Sequence, residues 1–210
     1  MNPLIDPDEF FGEKMKRGIE WRYPALTVLL VGIIGAVSAY IVAEIVIRAI
    51  MPELPPDATA IARIAPIFGA AVAVFMAFFM WFIYTAVFYV LSSFFGGEGE
   101  FKRLLQFTGY GFIPQIFSSL ITLFLLRYTL SGIDFSMENP ELFQQTLMSD
   151  PMMKYAAIVS MIFLIWSANI WMFAVKHARK MEMKQAALTV GIPIGLYVLY
   201  QIVSFIFLME

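Results

Sequence analysis

The sequence predicts an all-α protein: a polytopic transmembrane bundle of five helices with a short N-terminal interfacial helix. Three observations lead there. Of 210 residues, 60% are hydrophobic and only 14% charged, against about half and about a quarter in an ordinary soluble domain. Five apolar stretches reach the roughly 20 helical residues needed to cross a hydrocarbon core about 30 Å thick. Lysine and arginine are unevenly shared between alternate connections. The net charge of −2 offers no basic footprint for nucleic acid, and the absence of cysteine removes disulfides, thiolate metal sites and cysteine nucleophiles.

Residues 1–23 form the first unit. Asp6 suits an N-cap, Pro7 the first helical turn, and Asp8 and Glu9 the positive end of the helix dipole, while Phe10, Phe11, Met15 and Ile19 give an apolar stripe. With Lys14, Lys16 and Arg17 beside it, the segment reads as a helix lying in the cytoplasmic interface. The alternative is an unstructured leader whose phenylalanines pack on the bundle. No short apolar core with a small-residue cleavage site is visible, so a signal peptide is not expected.

Residues 24–210 form the membrane unit, with spans expected at 24–50, 64–95, 104–126, 155–175 and 186–209. The second, 32 residues long, would reach about 48 Å at ~1.5 Å per residue and must tilt, bend or protrude. Glu44 and Arg48 can pair at i,i+4 near the end of the first span. The acidic connection 127–154 holds Asn139-Pro140-Glu141, which could cap a short helix; this loop is either a lid or a connector.

Ten basic residues (Lys14, Lys16, Arg17, Arg22, Lys102, Arg103, Lys176, Arg179, Lys180, Lys184) fall on one side of these spans and four on the other. The N-terminus is therefore expected in the cytoplasm of a multi-pass cell-membrane protein, with the C-terminus outside. Catalytic signatures are missing and His177 is the only histidine, so neither a catalytic site, a cofactor nor a metal centre is expected. His177 is expected solvated at the interface. No charge sits at mid-span. The neutral polar candidates there are Gln115, Ser167, Asn169 and Gln201, which suit interhelical hydrogen bonds. Gly35, Gly69, Gly191 and Gly195 lie in small-residue patterns that would let another helix approach, within the bundle or in a dimer. Trp21 is the best-placed interface anchor among the four tryptophans.

One segment carries more information. Gly96 and Gly97 open a tight turn, Phe101 can re-enter the interface, Lys102 and Arg103 can meet lipid phosphates, and Gly109, Gly111 and Pro114 interrupt the following helix. Pro114 should kink or break the third span about two turns in. The run Gly96, Gly97, Phe101, Lys102, Arg103, Gly109, Tyr110, Pro114 resembles the pattern of the Yip-domain family of five-span membrane proteins, and Pro7-x-x-Phe10-Phe11 is similar to its short prokaryotic, archaeal or bacterial, members. Eukaryotic members, the YIPF proteins, bind Rab-type small GTPases and carry a long cytosolic region before the spans. With only 23 residues there, a small-GTPase partner is not expected.

The resemblance implies a non-enzymatic integral membrane protein acting in membrane organisation or trafficking-like processes. Its partners would be membrane lipids, other membrane proteins or further copies of itself. The alternative is a small-solute or lipid transporter or channel built on the broken third helix, since discontinuous helices often form substrate sites.

Overall fold

Helices account for most of the backbone that the computed structural model describes, which is residues 2–132, 145 and 149–207, with the backbone alone for Glu53 and residues 205–207. Helix α1 spans Pro7–Met15, α2 Arg22–Ile50, α3 Pro56–Phe94, α4 Phe101–Tyr110, α5 Ile113–Leu130, α6 Pro151–Ala178 and α7 Met183–Phe207, with a 3-10 turn at Met51–Glu53. No strand occurs among the described residues. Five of the helices, α2, α3, α5, α6 and α7, are long and apolar enough to cross a membrane.

The spans close a ring. Helix α2 packs on α3 and α5, α5 on α6, α6 on α7, and α7 returns to α3. Helix α4 touches α2, α3 and α6, so it plugs one end of that ring, and α1 lies against α6 and α4 at the same end. We call this the capped end.

The third expected span is broken about two turns in, as its glycines and proline require, and the structure moves its membrane-crossing part to Ile113–Leu130. In place of one helix at 104–126 there are two, separated at Gly111 and Phe112. Pro114 stands at the start of α5, where a missing N–H has no helical acceptor to lose, so it begins a helix rather than kinking one. Helix α5 is the membrane-crossing piece, and α4 is mostly buried cap. Helix α3 is longer than expected, starting at Pro56 and continuing through buried Pro66; its 39 residues reach about 58 Å, well beyond a bilayer core.

The N-terminal segment is helical, and Asp6 caps it by accepting from the Glu9 N–H at 3.1 Å. Its apolar face does not point to lipid. Phe10 and Phe11 are buried against Tyr110 and Phe107 of α4, with ring centroids 5.0 and 4.8 Å apart.

The small-residue positions do not serve packing within the bundle. A Cβ at Gly35, Gly69, Gly191 or Gly195 would meet nothing within 4 Å, so none of the four seats a helix of this fold. Gly32 does so instead: its added Cβ would lie 3.1 Å from the Ala77 methyl and 3.3 Å from the Val74 backbone, which explains how α2 and α3 approach closely. The short helix expected after Asn139-Pro140-Glu141, with Leu142, Phe143, Leu147 and Met148 on it, falls on residues outside the described ones.

Candidate functional site

The cap is built from the glycine-rich segment. Where α4 stops at Gly111 its last turn tightens, with the Gly111 N–H on the Thr108 carbonyl at 3.0 Å. Two buried indoles add donors to carbonyls of this helix. Trp171 on α6 donates to the Thr108 carbonyl at 2.8 Å, and Trp81 on α3 donates to the Leu105 carbonyl at 2.9 Å and the Thr108 hydroxyl at 3.2 Å. Thr85 completes the cluster, 2.6 Å from the Thr108 hydroxyl. This close embrace leaves no space for side chains at two positions. A Cβ on Gly109 would come within 2.6 Å of the Pro24 ring, and one on Gly111 would overlap the Trp171 indole.

A turn and a strap flank the cap. Gly96 (φ 79°) and Gly99 (φ 156°) take positive φ between α3 and α4, a conformation open to glycine. Their carbonyl-rich turn surrounds Arg179, which is 3% exposed. Its guanidinium donates to the Ser92 hydroxyl at 2.8 Å, the Ser93 hydroxyl at 3.0 Å, the Gly97 carbonyl at 2.6 Å and the Gly99 carbonyl, and stacks over the Tyr89 ring at 4.1 Å. Five fixed donors in a fork match such a ring of acceptors, which a lysine could not. Helix α6 then ends in a reverse turn, with the Met181 N–H bonded to the Lys176 carbonyl and Lys180 at φ 53°. The strap is α1. Asp8 accepts from Lys176 at 2.7 Å and lies 2.6 Å from the His177 ring. The Lys176 hydrogen bond, followed by that of His177, holds the Asp8 carboxyl below its ordinary value.

Electrostatics at the rim of the cap also favour closure. Lys14 pairs with Glu20 at 2.7 Å and faces the rings of Tyr23 and Tyr110. Burial is the largest single influence and works against the Lys14 charge, but the Glu20 hydrogen bond, together with the attraction of Tyr110 and Glu20, outweighs it and raises the ammonium pKa. Burial pushes the Tyr110 hydroxyl up.

Below the cap lies a cavity of about 580 Å³, lined from α3, α5, α6 and α7, a size common among ligand sites. Its apolar wall includes Met153, Met161 and Leu164; polar groups come from Tyr84, Gln115, Thr122, Ser160, Tyr197, Gln201 and Ser204, and Lys154 lines it too. Most of these are already satisfied: Gln115 donates to Ser167 at 2.9 Å, Thr122 lies 3.4 Å from Ser160, and Gln201 donates to Tyr197 at 2.7 Å. The Tyr84 ring stacks on Trp171 at 5.0 Å, and Phe88 and Phe112 complete that aromatic layer. The layer stands between the cavity and the cap. From Leu164 to Met153 the lining runs 11 residues along α6, about 16 Å, away from the capped end. No group of three or more potential metal ligands occurs among the described residues.

The expected site residues therefore divide. Gly97, Gly109, Tyr110 and Pro114 are structural parts of the cap or its turn. Phe101 packs on Phe82 and Tyr89 rather than leaving for the interface. Arg103, expected at lipid phosphates, instead donates to the Arg17 carbonyl at 3.0 Å and to Gln106, while Gln106 donates to the Glu20 carbonyl; together they fasten the α1–α2 connection. Lys102 is exposed. His177, expected solvated, is engaged by Asp8. Gln115, Ser167 and Gln201 are at or beside the cavity, whereas Asn169 faces outward. Trp21 is exposed and Trp81 and Trp171 are core. The sequence reading missed Arg179, which looks like one more member of a cationic loop.

Comparison with known proteins agrees with this architecture. The pattern of the Yip1 domain matches residues 1–205. The chain is 36% identical over 128 residues to an uncharacterized protein of Methanocaldococcus jannaschii, a match covering 60% of this chain and 86% of that protein. No solved structure matches. The chain belongs to the Yip1 domain family and is a multi-pass membrane protein.

Proposed function

We propose that this Yip1-domain protein is a non-enzymatic component of membrane organisation that acts by binding a membrane lipid, with the cavity as the lipid's seat. The observation that carries the reading is a cavity with an apolar wall and mostly satisfied polar groups that ends on the Tyr84–Trp171 layer under the cap. Such a lining accepts a hydrocarbon chain and leaves few polar groups for it to strand. The Tyr84 hydroxyl makes no hydrogen bond to the described residues, and a lipid carbonyl or hydroxyl would give it an acceptor. The concentration of lysine and arginine at the capped end favours a cytoplasmic cap and N-terminus, where Lys102, Lys180 and Lys184 remain exposed to anionic headgroups or protein partners.

The test is native mass spectrometry of the protein extracted into nanodiscs. A retained lipid is expected, and Ala157→Phe, which places a ring in the cavity, should release it while the melting temperature stays within a few degrees. Solute flux through proteoliposomes that Ala157→Phe blocks would instead favour the transporter reading. Absence of retained lipid in both proteins would overturn the proposal.

A further inference from the structure

Tyr155, Ile158, Ile162, Ile165 and Asn169 are all exposed on α6. Their spacing of three, four, three and four residues is the 3.5-residue repeat of a left-handed helix pair. Asn169 sets this stripe apart from the other apolar faces. It lies seven residues, about 10 Å, from Lys176 and 15 residues, about 22 Å, from Lys154 along the same helix. That places its amide within the apolar part of the span, and it makes no hydrogen bond to the described residues. Hydrocarbon offers it no partner, so leaving it there is costly.

We propose that α6 pairs with α6 of a second copy of this chain through this stripe, with the two Asn169 side chains hydrogen-bonded to each other across the two-fold axis. The occupant follows from chemistry and topology. Copies inserted with the same orientation present parallel α6 helices, and in a parallel pair each residue in the Asn169 register faces its own equivalent. An amide carries both donor and acceptor, so asparagine complements itself. The contact is isologous and closes at two copies. The cavity residues Ser160 and Leu164 lie on another face of α6, so pairing leaves the proposed lipid site open; the two proposals stand or fall separately.

The chain has no cysteine, which makes single-cysteine crosslinking in native membranes and in purified nanodiscs direct. Ile158→Cys and Ile165→Cys are expected to give a covalent dimer. Ile192→Cys, exposed on α7 beside the open Gly191, is expected to give none. Asn169→Leu should weaken self-association in bilayers roughly three- to twentyfold, the worth of one membrane hydrogen bond, with unchanged melting of the monomer; Asn169→Gln should restore part of it. Crosslinking through Ile192 alone, a purely monomeric protein in nanodiscs, a crosslink only to some other membrane protein, or an unweakened Asn169→Leu dimer would each overturn the proposal.

Discussion

Gly111→Ala tests whether the break between α4 and α5 is held by contact with Trp171. The added methyl would overlap the indole. That indole has little freedom to yield: it is 1% exposed, hemmed by Tyr84, Phe88 and Phe112, and fixed to the Thr108 carbonyl at 2.8 Å. Forcing it aside strands a buried N–H, costing about 1–3 kcal/mol, and strains the packing by about 1–3 kcal/mol more. The expected loss is about 2–6 kcal/mol, a large part of the ~5–15 kcal/mol typical of a folded protein. By soluble-protein scaling this lowers the melting temperature by about 5 °C or more. Fluorescence-detected size exclusion after heating in detergent reads it. Phenylalanine at 171 lacks the pyrrole atoms that the methyl meets, so the same change in a Trp171→Phe background should cost about 1–3 kcal/mol less. An equal cost in both backgrounds, or a loss under about 0.5 kcal/mol in the native one, would refute the reasoning.

Two further outcomes follow from the cap. Arg179→Lys should lower stability by about 2–3 kcal/mol, because one ammonium cannot serve the Ser92, Ser93, Gly97 and Gly99 oxygens together; thermal melting checks it, and a shift under about 0.5 kcal/mol would argue against a structural role. The strap should be acid-sensitive. The Asp8 carboxyl is held below its ordinary value in the fold, so its contribution is fully present above the unfolded carboxylate pKa of about 4 and is lost as pH falls through the lower folded value. Amide protection over residues 7–15, measured against the intrinsic exchange rate at each pH, should therefore fall between pH 5 and pH 2–3, and Asp8→Asn should show the lower protection already at pH 7. The effect is about 1 kcal/mol or less, since the pair is half exposed.

The spans were legible because hydrophobic length is a local property. The α4–α5 break was legible as an interruption, but the role of its first piece as a buried cap was not. Leu104 through Pro114 reads equally as a kinked span or as cap plus span, and only the Trp81 and Trp171 side chains, far away in sequence, decide between them. Arg179 was illegible from its neighbours: a cluster of cations does not reveal which member faces a ring of carbonyls. Asn169 could have been placed. It stands two residues from Ser167, about 200° around the helix, so the two could not both face the bundle, and Ser167 is the buried one.

The most recognisable stretch of the sequence therefore answers a question of closure. Gly97, Gly109 and Gly111 leave room for the neighbouring backbone, the Pro24 ring and the Trp171 indole, and Arg103 and Arg179 spend their donors on carbonyls within the chain. Residues committed in this way cannot also greet a partner without undoing the cap. Groups that bind outward must then be ones the cap leaves unspent, such as Lys102 and Lys180 at its rim, or ones on other faces of the bundle. It also follows that substituting cap glycines should remove function by unfolding the end of the ring, whereas Ala157→Phe and Asn169→Leu should each remove one binding event from a protein that still folds. Comparing the two kinds of variant separates what holds this bundle together from what it does in the membrane.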